Sequence, residues 1–169
     1  MRKLNREPEV ITIYKEILEG KRKQFPLNYW NRPQAKDDAK IITRYLIEEV
    51  LKVRTVDIPK YIKARTFLEY KLYGMLQLIY DTKPFKAIDS VYPKRFKLWQ
   101  FKVPSNYWNE DTAKEAIKWL VEERCLFNPV EAREKLEIQH FRRNGLYSLL
   151  VTRFNRNTIL ALNKTYGGE

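Results

Sequence analysis

The sequence has few of the residues by which catalytic, metal-binding and disulfide-rich proteins are usually recognised. Its 169 residues include one cysteine, one histidine and 5 glycines. A lone cysteine, Cys125, excludes an intrachain disulfide framework and a multi-cysteine zinc site, and we expect it to be a buried apolar residue. No glycine-rich phosphate loop and no nucleophile elbow occurs. We therefore predict no cofactor.

Long apolar runs are absent as well. No segment approaches the roughly 18 apolar residues that span a bilayer, and the N-terminus does not have the pattern of a signal peptide. We therefore expect a soluble, cytoplasmic protein that does not bind a membrane. Its 44% hydrophobic and 14% aromatic residues supply enough apolar surface for a core, which argues against disorder.

The chain does contain an internal repeat. The segment Phe25–Asn31 returns 78 positions later as Val103–Asn109, and from Ala39 to Tyr92 the match continues at an offset of 74. Matches at the second offset include Ala39 with Ala113, Tyr45–Glu49 with Trp119–Glu123, Phe67 with Phe141, Leu72–Tyr73 with Leu146–Tyr147 and Tyr92 with Tyr166. Self-similarity at a fixed period indicates a duplicated supersecondary unit.

Apolar spacing predicts helices throughout, and no segment alternates with period two. The predicted fold is therefore all-α, a tandem duplication of a small multi-helix module that is helix-turn-helix-like. We predict an N-terminal helix in residues 1–19, a first module in residues 20–98 and a second in residues 99–169. Helices are expected at about 10–18, 33–52, 58–64, 66–80 and 85–91, and at about 112–125, 130–136, 139–154 and 159–162.

Local patterns refine this layout. Thr66 with Glu69, and Thr112 with Glu115, match the capping box and predict helix starts at the two threonines. The Phe-Pro and Val-Pro lead-ins are predicted to be extended, because proline disfavours helix in the residue before it. We expect the Tyr-Trp pairs at 29–30 and 107–108 to pack in the core rather than stack on bases, and Trp99 to lie in the connector and join the modules.

Positive charge follows the repeat. The formal net charge is +12, and residues 60–97 hold nine Lys/Arg against three Asp/Glu. Residues 133–164 hold seven against two, whereas residues 98–132 hold four against six. The cations thus fall on the same back half of each predicted module, which is typical of a duplicated nucleic-acid-binding protein that neutralises phosphates with both copies.

The start of the third helix in each module is where a helix-turn-helix protein enters the major groove. Arg, Asn and Gln there can pair with base edges, whereas surrounding cations contact phosphates and position the protein without specifying sequence. The predicted groove-facing residues are Lys63, Arg65, Lys71, Gln139, His140, Arg142, Arg143 and Asn144. The predicted phosphate contacts are Lys83, Lys86, Lys94, Arg95, Lys97, Arg153, Arg156 and Lys164.

These motifs resemble an uncharacterised repeat family of bacteria and their phages, over about residues 18–166. The segments that carry the resemblance are Phe25–Trp30, Arg44–Glu49, Asp57–Pro59, Tyr70–Gly74 and Val91–Trp99. More loosely, the back half of each module is similar to homing-endonuclease-associated repeats, which implies DNA binding beside a nuclease. The second copy departs from the pattern, with Arg133 for Pro59 and Ser148 for Gly74, as expected of a terminal repeat.

Two enzymatic interpretations fit poorly. Asp57, Glu69 and Lys71 match the loose spacing of a metal-dependent nuclease, but that chemistry normally lies on a sheet and the second copy does not keep the residues. Tyr166 as a recombinase nucleophile would need several His and Arg donors, and His140 is the only histidine. We therefore predict neither an enzyme nor a metal site.

The predicted function is non-enzymatic binding of double-stranded DNA, as a transcription regulator or an accessory factor of a phage or mobile element in a bacterial cell. The alternative is a non-catalytic adaptor or inhibitor whose basic face engages an acidic protein partner. RNA binding is a third hypothesis. Oligomeric state and target sequence are left open.

Overall fold

The computed structural model describes residues 6–167, and within them the chain is entirely helical, with eleven α-helices, short 3-10 and π segments and no strand. The predicted all-α class is confirmed. The chain divides into two compact units, Met1–Phe96 and Lys97–Glu169. None of the helices in the described part is long and apolar enough to cross a membrane.

The first unit is arranged around its second helix. Its helices are α1 (Glu9–Leu18), α2 (Ala35–Tyr45), α3 (Ile58–Tyr61), α4 (Ala64–Glu69), α5 (Tyr73–Tyr80) and α6 (Pro84–Val91). Helices α1, α5 and α6 all pack against α2. Ala39, Ile42 and Leu46 recur at the spacing of one helical face, and none of them is exposed to solvent.

The second unit is arranged around α7. Its helices are α7 (Glu110–Lys118), α8 (Pro129–Lys135), α9 (Ile138–Arg143), α10 (Tyr147–Phe154) and α11 (Thr158–Tyr166). Helix α11 packs against α7, α8 and α10. Ala116, Ile117 and Leu120 form the fully buried face of the central helix.

Both central helices end in a widened turn. Helix α2 continues into the π-helical segment Leu46–Val50, and α7 continues into Trp119–Arg124. The amide of Leu51 donates to the carbonyl of Leu46, and that of Cys125 to the carbonyl of Leu120, each at 2.9 Å. The extent predicted for these two helices is therefore confirmed. Their π-helical ends, a geometry that is rare in proteins, were not predicted from the sequence.

The third helix of each predicted module is broken, which corrects the expectation of continuous helices at 66–80 and 139–154. A turn separates α4 from α5 at Lys71 (φ 64°) and α9 from α10 at Gly145 (φ 74°), both in the left-handed region. After each break the amide of Leu72 or Leu146 bonds back to a carbonyl five residues earlier, at 2.7 and 2.8 Å. Helix α4 and helix α9 are therefore six residues long each.

The two predicted capping boxes are displaced by one turn. Thr112 is the third residue of α7 and closes a box with Asn109, with reciprocal backbone-to-side-chain bonds of 2.8 and 2.9 Å. Thr66 likewise lies inside α4 and accepts from the amide of Lys63 at 3.0 Å. Each threonine therefore stabilises the amide three residues before it and does not begin the helix.

The predicted extended lead-ins are wrong where the Tyr-Trp pairs begin. Residues Tyr29–Asn31 and Ser105–Tyr107 form 3-10 turns. The prediction that the pairs pack in the core is confirmed for Tyr29, Trp30 and Trp108, which are 4%, 8% and 6% exposed. Tyr107 is half-buried against the core of the second unit.

Trp99 belongs to the core of the second unit, which corrects its assignment to a connector. Its ring meets Trp119 edge-on with centroids 5.7 Å apart and lies 6.5 Å from Trp108. In the first unit Tyr14 of α1 takes the equivalent position, edge-on to Tyr45 at 6.2 Å. The second unit therefore covers its central helix with a tryptophan from a 3-10 turn, where the first unit uses a helix.

We expect Trp108→Ala to lower the free energy of unfolding by about 3–5 kcal/mol, because it removes a large buried ring and leaves a cavity. Urea unfolding followed by circular dichroism measures the change. The matched control is Val130→Ala, since Val130 is 74% exposed on α8 and should shift stability by less than about 0.5 kcal/mol. Native stability in Trp108→Ala would contradict the core assignment.

Candidate nucleic-acid interface

In the first unit the predicted site residues lie on α4, on α6 and in the turns around them. Lys63 is the N-cap of α4, Arg65 lies in its first turn and Lys71 follows its end. The remaining four are Lys83, Lys86, Lys94 and Arg95, which lie at the start of α6, in α6 and just after it. All seven side chains are exposed.

In the second unit the predicted residues lie on α9, on α10 and in the turn after α10, with Lys164 on α11 and Lys97 just before the 3-10 turn Leu98–Gln100. Gln139, Arg142, Arg143, Arg153 and Arg156 are exposed, whereas His140 and Asn144 are only partly exposed. The structure thus brings Gln139 to Asn144 together on one short helix and its C-cap. Arg142 lies over the ring of Tyr147, with its guanidinium carbon 4.1 Å from the ring centroid, so the first residue of α10 orients an arginine of α9.

The predicted residues of α9 separate into two faces. On the outer face, Nη2 of Arg143 donates to Oε1 of Gln139 at 3.2 Å. On the inner face, Nδ1 of His140 accepts from the backbone amide of Glu137 at 2.9 Å, which caps the helix. Oδ1 of Asn144 accepts from Nε of Arg124 at 3.0 Å, and its Nδ2 donates to the carbonyl of His140 at 2.8 Å. The polar atoms of His140 and Asn144 that make these bonds therefore serve the unit's own structure.

Helix α4 has the same division 74 positions earlier. Its outer pair is Arg65 with Glu69, joined at 2.9 Å between Nε and Oε1. On its inner side Thr66 caps the amide of Lys63, as His140 caps that of Glu137. The outer face of α4 therefore carries an ion pair between its cation and a carboxylate, whereas that of α9 carries an arginine beside a neutral amide.

Most of the predicted cations have no carboxylate partner. Arg65 pairs with Glu69, and Lys83 and Lys86 lie 3.7 and 3.9 Å from Asp81. Across residues 6–167 the remaining ones form no ion pair: Lys63, Lys71, Lys94, Arg95, Lys97, Arg142, Arg143, Arg153, Arg156 and Lys164. Exposed cations without a partner are the groups that exchange small counterions for phosphates at least cost.

The residues weighed for enzymatic chemistry are held by local contacts. Asp57 bonds Nε of Arg54 at 2.8 Å, and Glu69 is held by Arg65. In the part of the chain that the structure describes, no three His, Cys, Asp or Glu side chains cluster in a way that could hold a metal ion. Cys125 is half-buried rather than fully buried, and burial raises the pKa of its thiol.

One residue of the second unit was not predicted from the sequence. Lys114 of α7 shares the lining of a surface pocket with Arg153 and Lys164. Its own segment, residues 98–132, has an excess of acidic residues, so charge counting points away from it. Only the packing of α11 against α7 indicates that this lysine belongs with the cations of α10 and α11.

Tyr92 and Tyr166 occupy matching positions with different surroundings. The hydroxyl of Tyr92 donates to Oε1 of Glu48 at 2.7 Å. The hydroxyl of Tyr166 is buried and has no hydrogen-bond partner among the described residues. Burial, and secondarily the charge of Glu122, raises the pKa of Tyr166 to about 12, so the phenol is protonated at neutral pH.

We expect Tyr166→Phe to leave the free energy of unfolding at pH 7 unchanged or slightly raised, because the lost hydroxyl has no partner, whereas Tyr92→Phe should cost about 1 kcal/mol. Tyr166 has a folded pKa of about 12 against an ordinary value of 10.0. The stability that the folded state gains by keeping Tyr166 protonated is therefore complete below pH 10 and is lost as the pH rises toward 12. The advantage of Tyr166→Phe over the native chain should grow across that interval.

Thermal unfolding at a series of pH values measures both effects. A loss of stability at pH 7 in Tyr166→Phe equal to that in Tyr92→Phe would show that the Tyr166 hydroxyl has a partner in solution.

Comparison with known proteins identifies the family. No curated protein and no solved structure matches the chain. A family model described as a protein of unknown function, DUF4046, matches residues 10–97, slightly more than half of the sequence. The expectation of an uncharacterised family is confirmed. The chain belongs to the DUF4046 family.

Proposed function

We propose that the chain is a tandem pair of one helical module and that it binds double-stranded DNA without catalysing a reaction. The duplication is supported by the backbone. Between residues 39 and 92 there are four left-handed residues, and each has a left-handed counterpart 74 positions later. The pairs are Lys52 with Leu126, Lys71 with Gly145, Asp81 with Asn155 and Thr82 with Arg156.

This agreement carries weight because left-handed backbone is unfavourable for most residues. Only Gly145 among the eight residues is a glycine, so the repeated conformation does not follow from a repeated glycine. It follows from the same helix ends in both units, since the amide of Thr82 reaches the carbonyl of Leu76 and that of Arg156 reaches Leu150, both at 3.0 Å. Common ancestry of the two units accounts for it.

The single observation that supports DNA binding best is the set of exposed, unpaired cations that each unit carries. Four of them lie in the first unit, on or beside α4 and α6, and six in the second, on or beside α9, α10 and α11 and at Lys97. None of these cations lies within ion-pairing distance of a carboxylate in the part of the chain that the structure describes. Phosphate groups would supply the missing counter-charge, and a duplex offers one per roughly 1.7 Å of axis.

We infer that α9 contributes sequence preference in addition to charge. Its outer face presents Gln139 and Arg143 four residues apart, already joined by a hydrogen bond. Glutamine pairs with adenine edges and arginine with guanine edges in the major groove. Helix α8 precedes α9 as the first helix of a helix-turn-helix pair would, which makes α9 the recognition helix of the second unit.

A duplex titration at two salt concentrations tests the proposal. With six to ten phosphate contacts, affinity should fall about 10³–10⁵-fold between 50 and 200 mM salt. Fluorescence anisotropy with a mixed-sequence duplex of about 20 base pairs measures it. No binding at 50 mM salt to any duplex would reject the proposal.

We expect Arg142→Ala combined with Arg143→Ala to weaken duplex binding at least about tenfold, because both side chains are exposed and form no ion pair. Helical content and melting temperature should stay nearly unchanged. The matched control is Lys102→Ala with Lys118→Ala, which removes the same charge from exposed positions of the same unit. Equal weakening by both pairs would mean that only net charge matters.

A protein partner is the second candidate, and one observation favours it. Three apolar side chains of the first unit, Tyr61, Leu68 and Leu78, are 55%, 58% and 59% exposed. An adaptor that engages an acidic protein would bury them. In that case Leu68→Ser with Leu78→Ser would abolish the complex, while a DNA-binding protein would retain its duplex affinity.

A further inference from the structure

A surface pocket in the second unit is lined by three cations, one carboxylate and two buried apolar side chains. It lies where α7, α10 and α11 meet and is lined by Glu110, Ala113, Lys114, Arg153, Phe154 and Lys164. Its volume is about 280 Å³. That is just below the roughly 300–1,000 Å³ of sites for drug-sized ligands, and it is ample for a small anion.

The floor of the pocket is apolar and its rim is cationic. Ala113 and Phe154 are buried, 2% and 6% exposed, and form rigid walls from α7 and α10. Lys114, Arg153 and Lys164 come from three different helices. Because these three helices pack together, the Cα atoms of the three cations stand at fixed distances. The fold, rather than a flexible loop, therefore holds the charges near one another.

The charge of the pocket is not balanced by the described residues of the unit. Arg153 and Lys164 form no ion pair within residues 6–167. Lys114 is 3.8 Å from Glu110, whose side chain is 78% exposed. An exposed pair of this kind contributes little and exchanges readily for a better partner. Three cations thus face one weakly held carboxylate, which leaves a net charge of +2.

The first unit does not repeat this arrangement. The positions 74 residues before Arg153 and Lys164 are Ile79 and Ser90. The Ser90 hydroxyl bonds the hydroxyl of Tyr80 at 2.8 Å and donates to the carbonyl of Ala87 at 2.6 Å. The helical scaffold therefore does not require cations at these two positions, and their presence in the second unit is a property of that unit alone.

We propose that this pocket binds a phosphate group. Three cationic side chains lining one pocket, an apolar floor and an excess of positive charge fit a tetrahedral oxyanion. Under the proposed function, on which this step rests, the group is a phosphate of the nucleic acid, and it gives the second unit an anchor that the first lacks. The same chemistry would accept a phosphomonoester at a 5′ end.

The first test uses inorganic phosphate and the full-length chain. Amide chemical shifts of residues around Ala113 and Phe154 should move saturably with phosphate. They should not move in Arg153→Ile with Lys164→Ser, which installs the residues found at Ile79 and Ser90 and should therefore fold. The control pair Lys102→Ala with Lys118→Ala should keep the response. Diffuse shifts, or equal loss in the control, would overturn the proposal.

The second test uses duplexes with hydroxyl or phosphate 5′ ends. Loss of a phosphate contact should reduce the slope of log affinity against log salt by about 0.9 for Arg153→Ile with Lys164→Ser, with no change for the control pair. A change on both duplexes assigns the pocket to backbone phosphodiesters, and a change only on the 5′-phosphorylated duplex assigns it to the terminal monoester. An unchanged slope on both would overturn the nucleic-acid assignment.

The two tests separate the two proposals. Localised phosphate binding without any duplex binding would retain the pocket and reject the DNA-binding function. Duplex binding with an unaltered slope and no localised response to phosphate would retain the function and reject the pocket.

Discussion

Both units depend on burying one face of a central helix through its widened last turn. In α2 and the π segment after it, Ile42, Leu46 and Ile47 have no exposed surface. In α7 and its π segment, Leu120 and Val121 are equally enclosed. Each wide turn buries two successive apolar side chains, Leu46 with Ile47 and Leu120 with Val121, and so extends the buried face to the end of the central helix. Short helices can then pack on a broad apolar surface despite burying little surface of their own.

The exposure of the cations is a consequence of that packing. The helices α4, α6, α9 and α10 each contribute one or more buried apolar residues to the core, such as Phe67 and Phe141. Their remaining positions face solvent, and long basic side chains occupy many of them. Because burying an unpaired charge is costly, the units tolerate this density of cations only on the outside. One pattern, with apolar residues on the inner face of each helix and basic residues on the outer face, thus produces both the compact core and the exposed cations.

Much of the fold could be predicted from the sequence because apolar spacing marks buried helical faces. The breaks after α4 and α9 could not. In the sequence Leu68, Leu72 and Leu76 continue at a four-residue, helix-like spacing across the first break, although Leu68 is exposed in the structure. Lys71 occupies its left-handed position, where glycine would normally signal a turn. Gly145 marks the second break, but only comparison of the two units in three dimensions shows that both break at the same point. Thr66 and Thr112 do take part in capping, as predicted. Each is the third residue of its helix rather than the first, so the helix begins earlier than predicted.

Some features of the candidate site could likewise be predicted from the sequence, and others could not. Exposure of the lysines and arginines followed from residue type alone. The roles of His140 and Asn144 depend on which face of α9 is buried, and that is settled by Phe127, against which the His140 ring packs edge-on with centroids 5.7 Å apart. The pocket on α7, α10 and α11 joins residues as far apart in sequence as Lys114 and Lys164. No local pattern links positions at that distance, so the grouping exists only after folding.

The outward pairs on α4 and α9 have opposite polarity. In α4 the residue nearer the N-terminus is the cation and its partner, Glu69, is an acceptor; in α9 the cation is Arg143 and the residue nearer the N-terminus is neutral. Under the proposed duplication, the two copies would first have offered interchangeable surfaces. Under the proposed function, their divergence at these positions means that a palindromic duplex would suit one half of the protein and be mismatched by the other, so an asymmetric site would be the better complement to this chain.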